Sequence, residues 1–172
     1  MELWDVYDDS FNKTGRTHER GKPLIKGENH LVVHIFPVNR QGELLIQRRQ
    51  DHVRWSPGLW AATGGSVIAG EDAWSACKRE LLEELGLEAT RENTTFVCMY
   101  KHKDYFNSIW IVKSEAKLSD LKLQKEEVAD ARWASQKEVL KMIESGGFVP
   151  YIYIRHLFEF INNEICNNNE TK

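Results

Sequence analysis

The stretch that decides the fold runs from Gly65 to Leu87, GSVIAGEDAWSACKRELLEELGL. Gly64 and Gly65 open a loop that ends at Glu71, where a helix is expected to begin and run to about Leu85. Gly86 follows the last apolar residue and can close the helix in the left-handed conformation that side chains resist. At about 100° per residue, Glu80, Glu83 and Glu84 fall within an arc of roughly 100°. Trp74, Cys77, Leu81 and Leu85 gather on a neighbouring arc and give the helix a face to bury. Ala73 and Ala76 fall on the side of the acids, where small residues leave room for a metal and a phosphate chain.

Three carboxylates this close repel one another, and like charges four residues apart weaken a helix. A divalent cation that prefers hard oxygen ligands, Mg²⁺ or Mn²⁺, would offset that repulsion. The ordinary meaning of a Glu-rich helix is a solvated acidic face. The carboxylates taken alone leave both readings open.

Working outward, Glu2 to Tyr7 reads as a short strand, and Asp8 to Arg16 carries turn chemistry that can close a hairpin. His30 to Val38 is rich in β-branched residues, Asn39 to Gly42 is a turn, and Glu43 to Arg48 is the partner strand. Ser56-Pro57-Gly58 breaks the chain before a short strand, Trp60 to Thr63. Further strands are expected at Thr95 to His102, Phe106 to Val112 and Val128 to Trp133. Ser135 and Glu138 form a capping box for a helix from Gln136 to Glu144, and Tyr151 to Ile165 has helical spacing. The pattern predicts an α/β chain with a mixed sheet sandwiched between helices, an α/β/α arrangement. One domain is expected over 1–172, with an N-terminal extension or hairpin at 1–28, a core at 29–166 and a frayed tail at 167–172.

The bulk composition narrows the partners. Net charge is −3, from 23 basic and 26 acidic residues, so no cationic field is available to hold a nucleic-acid polymer. Cys77, Cys98 and Cys166 are odd in number and widely spaced, with no zinc-ligand pattern, which fits a reduced cytoplasmic protein. No apolar run approaches a membrane span, and the N-terminus lacks the basic start and apolar core of a signal peptide.

Gly65, Glu71, Arg79, Glu80, Leu81, Glu83, Glu84, Gly86 and Leu87 match every specified position of the box that defines Nudix hydrolases, Gly-x5-Glu-x7-Arg-Glu-(apolar)-x-Glu-Glu-x-Gly-(apolar). The box covers 23 residues, and the strand pattern resembles Nudix domains over about 29–145. The resemblance implies a Mg²⁺- or Mn²⁺-dependent hydrolase that cuts a diphosphate linkage in a nucleoside diphosphate derivative or similar small molecule. It implies that Glu80, Glu83 and Glu84 hold the cation and that one of them can also act as base. The Gly64 carbonyl would complete the metal shell. Arg79 would steer the carboxylates through an ion pair with Glu71, leaving Gly65, Glu71 and Gly86 as structural support. Outside the box, Glu127 is expected as a further metal ligand or base and Arg49 as a phosphate contact, against the plainer readings of an acidic loop and a surface arginine. Tyr105 and Phe106 are candidates for a substrate wall. Many Nudix proteins pair into homodimers, so a dimer is a further expectation.

The N-terminal half also resembles proteins similar to isopentenyl-diphosphate isomerase, through ELWDVYD, the Gly27-Glu28-Asn29-His30 lead into a strand, LLIQRR and SPGLW. An isomerase of that type uses a cysteine and a metal-binding histidine after the Trp60 strand. This chain has Gly64 and Ser66 at those positions and no acid, thiol or imidazole between Trp60 and Glu71. His30 matches one isomerase metal-site histidine. Hydrolysis is therefore expected, with an isomerase as the alternative and a non-catalytic nucleotide sensor as a third reading. Trp55, Trp60, Trp110 and Trp133 could stack on a base or isoprenoid, though most buried aromatics are core. His102 and His156 read as structural, and His34, out of phase with Val33 and Ile35, as a polar-face residue.

Overall fold

Alternating apolar runs become strands wherever one face can be buried. The computed structural model describes residues 2–170, and side chains through 164. Leu3–Tyr7 (β1) and Lys13–Glu19 (β2) pair antiparallel as a separate two-stranded sheet. The Asp8 carboxylate closes the hairpin by accepting the Ser10 and Asn12 amides at 2.8 and 2.9 Å. The main sheet comprises His30–Val38 (β3), Leu44–Arg49 (β4), Trp60–Ala61 (β5), Thr63–Ser66 (β6), Thr94–His102 (β7), Tyr105–Lys113 (β8) and Val128–Ala134 (β9). Its path is β5-β4-β3-β8-β7, with β6 beside β3 and β9 beside β4. The β3–β8 pairing is parallel and the others are antiparallel, so the sheet is mixed.

Helices cover both faces. Ala73–Leu85 (α1) buries Ala76, Cys77, Leu81 and Leu85 against Leu31, Val33, Ile35 and Leu45. On the other side, Gln136–Glu144 (α2) and Ile154–Glu170 (α3) close over Phe36, Val38, Leu44, Ile46, Ile109 and Ile111. The period-2 alternation of β3 thus sends successive side chains to two different cores. This is the expected α/β/α architecture. A capping box at Ser135 and Glu138 starts α2, and Gly86, at φ 71, ends α1 by donating its N–H toward Leu81 and Leu82.

Four local readings change. Gly64 and Gly65 lie in β6, hydrogen-bonded to β3 in the register His34↔Gly64 and Val33↔Gly65, where a loop was expected. Gly64 has φ +152, and a Cβ there would run into the Val33 carbonyl oxygen, so only glycine lets the two strands close. Helix α1 starts at Ala73 because Asp72 caps it, accepting the Ser75 amide at 2.7 Å. Ala76 leaves no room for a ligand, since it is fully buried in the core beneath α1. Helix α3 spans Ile154–Glu170, so it begins three residues later than expected. Residues 171–172 and the Cys166 side chain lie outside the described residues; Cys77 and Cys98 are both unbridged.

Candidate active site

The acidic end of α1 is organised by one guanidinium. Arg79 Nε and Nη2 donate to the two carboxylate oxygens of Glu71 at 2.9 and 3.0 Å. Its Nη1 reaches Glu80 at 2.8 Å and Glu83 at 3.2 Å, and Nη2 also reaches the Ser66 carbonyl at 3.2 Å. All five N–H donors of the fork are thereby used. The Glu71 carboxylate accepts the Ile68 amide as well, at 3.2 Å, which ties the loop before α1 to the same brace.

Glu84 sits deeper. It is 1% exposed, and its Oε2 accepts the Gln47 side-chain amide at 2.9 Å and the Gly64 N–H at 3.0 Å. Its Oε1 is buried with no hydrogen-bond partner among the described residues. Glu80 lies under Gly65, where an added Cβ would collide with the carboxylate. Burial pushes Glu80 up to about 7, with Glu83 and Glu127 adding repulsion against the opposing pull of Arg79. Burial likewise pushes Glu84 up to about 8, with repulsion from Glu80 and Glu127. The cluster holds more negative charge than its own cation balances.

That imbalance tests whether a divalent ion fits. An orphaned buried carboxylate oxygen on Glu84, beside the largely buried carboxylate of Glu80, is an oxygen-rich donor set of the kind Mg²⁺ and Mn²⁺ take. Among the described residues no three acidic, imidazole or thiolate groups converge on one point. Arg79 draws Glu80 and Glu83 one way, while Gln47 and the Gly64 amide draw Glu84 the other.

The residues expected outside the box divide. Glu127 precedes β9, and its carbonyl accepts the Gln50 amide at 2.8 Å, so it stands at the end of β4. Its charge acts on both Glu80 and Glu84. Arg49 opposes Val128 at the same strand end. Its Nε donates to the Trp55 carbonyl at 2.7 Å, and its guanidinium lies 5.2 Å from the Trp55 ring. Phe106, a candidate for a substrate wall, is 7% exposed and packs edge-on to Phe11 at 4.9 Å within the α1-side core. Tyr105 is half-buried between His30 and His102, at 5.8 and 5.3 Å. His156 is exposed on α3.

Two features escaped the sequence reading. Gln47 orients Glu84, and the only signal was its place two residues after Leu45 on the α1 side of β4. On the opposite face, His34 Nδ1 contacts the Tyr153 hydroxyl at 2.6 Å and the Asn107 amide at 2.7 Å. Burial pushes His34 down to about 3, so it stays neutral. Tyr151 stacks on Tyr153 at 5.4 Å, and its hydroxyl accepts the Ala62 amide at 3.2 Å. These residues come from distant parts of the chain, which gives no spacing to read.

A NUDIX domain model matches residues 28–152. The chain belongs to the Nudix family. It is similar to a Listeria monocytogenes protein named as an uncharacterized Nudix hydrolase, at 40% identity over 163 residues, covering 94% of this chain and 96% of that one. An isopentenyl-diphosphate Delta-isomerase of Pectobacterium atrosepticum is 36% identical over 90 residues, covering 51% of this chain and 50% of the other. A crystal structure of a Deinococcus radiodurans protein superposes with a TM-score of 0.74 at 22% identity, over 94% of this chain and 98% of that one. That last likeness speaks for the fold. As a Nudix hydrolase the chain is an enzyme whose family acts on pyrophosphate bonds of small molecules and generally uses divalent metals. Among the described residues no helix is long and apolar enough to cross a membrane.

Proposed function

We propose that this Nudix hydrolase uses water to cleave the diphosphate linkage of a small molecule such as a nucleoside diphosphate derivative. The observation that carries the reading is Glu84, a buried carboxylate with one oxygen held by Gln47 and Gly64 and the other unpartnered among the described residues, beside a second, largely buried acid, Glu80, at 13% side-chain exposure. Glu80, Glu83, Glu84, the Gly64 carbonyl and Glu127 would hold Mg²⁺ or Mn²⁺, which when bound neutralises phosphate charge and makes a bound water more acidic. Arg79 holds Glu80 and Glu83 in place and is itself fixed by Glu71. Gln47 fixes the rotation of the Glu84 carboxylate by donating to a single oxygen. In the reaction the water oxygen bonds to phosphorus as the bridging P–O bond breaks. The proton that water releases passes to a site carboxylate, and two phosphate-bearing fragments leave.

Isomerisation asks for other groups. Gly64 has no side chain, and Ser66 offers only a hydroxyl, at the β6 positions where the isomerase resemblance expects a thiol and an imidazole. A panel of nucleoside, sugar-nucleotide and isoprenoid diphosphates, assayed with Mg²⁺ and with Mn²⁺, tests the proposal. Phosphate-bearing products are expected, and Glu83→Gln and Glu84→Gln should each cut turnover by orders of magnitude while the thermal unfolding transition survives. Unchanged turnover in both variants, or conversion of isopentenyl diphosphate to dimethylallyl diphosphate at a comparable rate, would overturn it.

A further inference from the structure

We propose that Trp55 is a specificity-determining residue whose indole stacks on a flat ring carried by the diphosphate substrate, above an Arg49 placed to meet that substrate's phosphate. The inference rests on the diphosphate reading of the site and adds what the rest of the substrate must look like. Four observations carry it.

First, Trp55 is 51% exposed. Trp60, Trp110 and Trp133 are each at least half-buried. Second, the ring is not loose on the surface. The segment between β4 and β5 is tied at both ends: Arg49 N donates to Leu59 O at 2.9 Å, Gly58 N to Gln50 O at 3.4 Å, and Arg48 bonds Asp51 at 2.8 Å and the Gly58 carbonyl at 3.2 Å. A short loop with joined ends and its own internal contacts presents its tip as a fixed surface. Ser56, next to Trp55, is held at φ +46. A non-glycine residue rarely adopts that conformation.

Third, the loop is anchored to the catalytic strand. Gln47 binds Glu84. Arg49 lies two residues farther on the same side of β4, about 7 Å along the strand. Gln50 bonds the Glu127 carbonyl. Trp55 therefore stands over the end of the site where Arg49 and Glu127 meet. Fourth, the guanidinium of Arg49 covers one face of the indole at 5.2 Å, and the exposure of the ring leaves its other face free.

The surroundings choose the class of ligand. Asp51, His52 and Arg54, which precede Trp55 in the same loop, are exposed, so the loop that carries the indole is polar and open. An isoprenoid chain needs an enclosed apolar groove to gain from burial, whereas a flat heteroaromatic ring gains by stacking while its edges stay wet. The Arg49 side chain adds a phosphate-binding donor set beside the ring. The substrate group so described is a planar aromatic ring joined through a short linker to the diphosphate.

The test measures binding as well as turnover, so that it does not depend on the hydrolase reading. Titration calorimetry with Mg²⁺ would compare α,β-methylene analogues of ring-bearing nucleoside diphosphates with the ring-free methylenediphosphonate. Wild-type protein should bind at least one ring-bearing analogue more tightly than the ring-free one. Trp55→Ala should weaken that binding on the order of tenfold, leave methylenediphosphonate within twofold, and raise KM at constant kcat for the corresponding substrate. Trp55→Phe should restore most of the loss, since the phenyl ring still stacks. Equal weakening of both ligands, no weakening of either, or no preference for a ring in the wild type would overturn the proposal. If no diphosphate is hydrolysed but the ring-dependent difference persists, the hydrolase reading fails and the stacking role stands.

Discussion

Strand β3 divides two regions that are ordered by different forces. Toward α1, it lies beneath a network of charges: Glu71, Arg79, Glu80 and Glu83, all on or just before one helix and joined by ion pairs, with the buried Glu84 beside them held by Gln47 and the Gly64 amide. Toward α3, it presents His30 and His34 to neutral aromatic partners. His34 contacts Tyr153 and Asn107, and His30 stacks on Trp4 at 4.1 Å. The charged side gathers acids that destabilise one another and are held by Arg79, Gln47 and the Gly64 amide. The neutral side keeps His30 and His34 uncharged. A fold gains nothing in stability from stacking carboxylates in its interior. Among the described residues the fully buried carboxylate, Glu84, lies on the α1 face, which supports placing the proposed chemistry there.

The largest expected effect of breaking this contrast comes from Arg79→Met. Removing one partner of a fully buried ion pair costs about 3–5 kcal/mol. Arg79 and Glu71 keep 25% and 18% side-chain exposure, which lowers the expectation to roughly 2 kcal/mol. Turnover should also collapse, because Glu80 and Glu83 lose the group that positions them. Denaturant unfolding and steady-state kinetics on the same variant check both halves. Unchanged stability would mean that Glu71 and Arg79 are not a brace, and the two faces would then differ less than described.

Gln47→Leu is a smaller and cleaner cut. It keeps the side-chain volume near that of the native residue but removes the donor to Glu84 Oε2. Loss of an orienting partner behind a metal ligand typically costs about 10–100-fold in metal affinity or activity. The activation curve for Mn²⁺ should shift to higher concentration by that factor. A shift of less than threefold would show that the Gly64 amide alone orients Glu84.

The same contrast explains what could be read from sequence. The charged side was legible because its residues are spaced along one helix and one loop, so that Glu71, Arg79, Glu80, Glu83 and Glu84 keep fixed intervals. The sheet and its covering helices were legible from alternation and capping, as at Ser135 and Glu138. Gln47 was not, because a polar residue in LLIQRR announces its neighbour only after β4 is placed beside α1. The His34, Asn107 and Tyr153 set is joined across more than a hundred residues by sheet pairing and the turn before α3. Gly64 and Gly65 were read as loop because glycine usually interrupts strands. Here the missing side chains are what allow β6 to approach Val33 and Glu80.

The smallest expected effect lies on the neutral face and concerns pH. Burial pushes His30 down to about 4, with the charges of His18 and Arg20 adding to the shift and Asp104 opposing it. Trp4 and Tyr105 supply uncharged ring neighbours. The folded state therefore resists protonation of His30, while the unfolded chain takes up the proton near pH 6.5. Between about pH 6.5 and 4 the unfolded state binds more protons at this residue, so its contribution to stability is complete above that window and declines as pH falls through it. His30→Phe keeps a ring against Trp4 and removes the titration. Denaturant midpoints measured at pH 7 and at pH 4.5 should differ less in the variant than in the wild type. Equal differences in the two proteins would show that His30 is protonated without penalty, and that the neutrality of this face is carried by His34 alone.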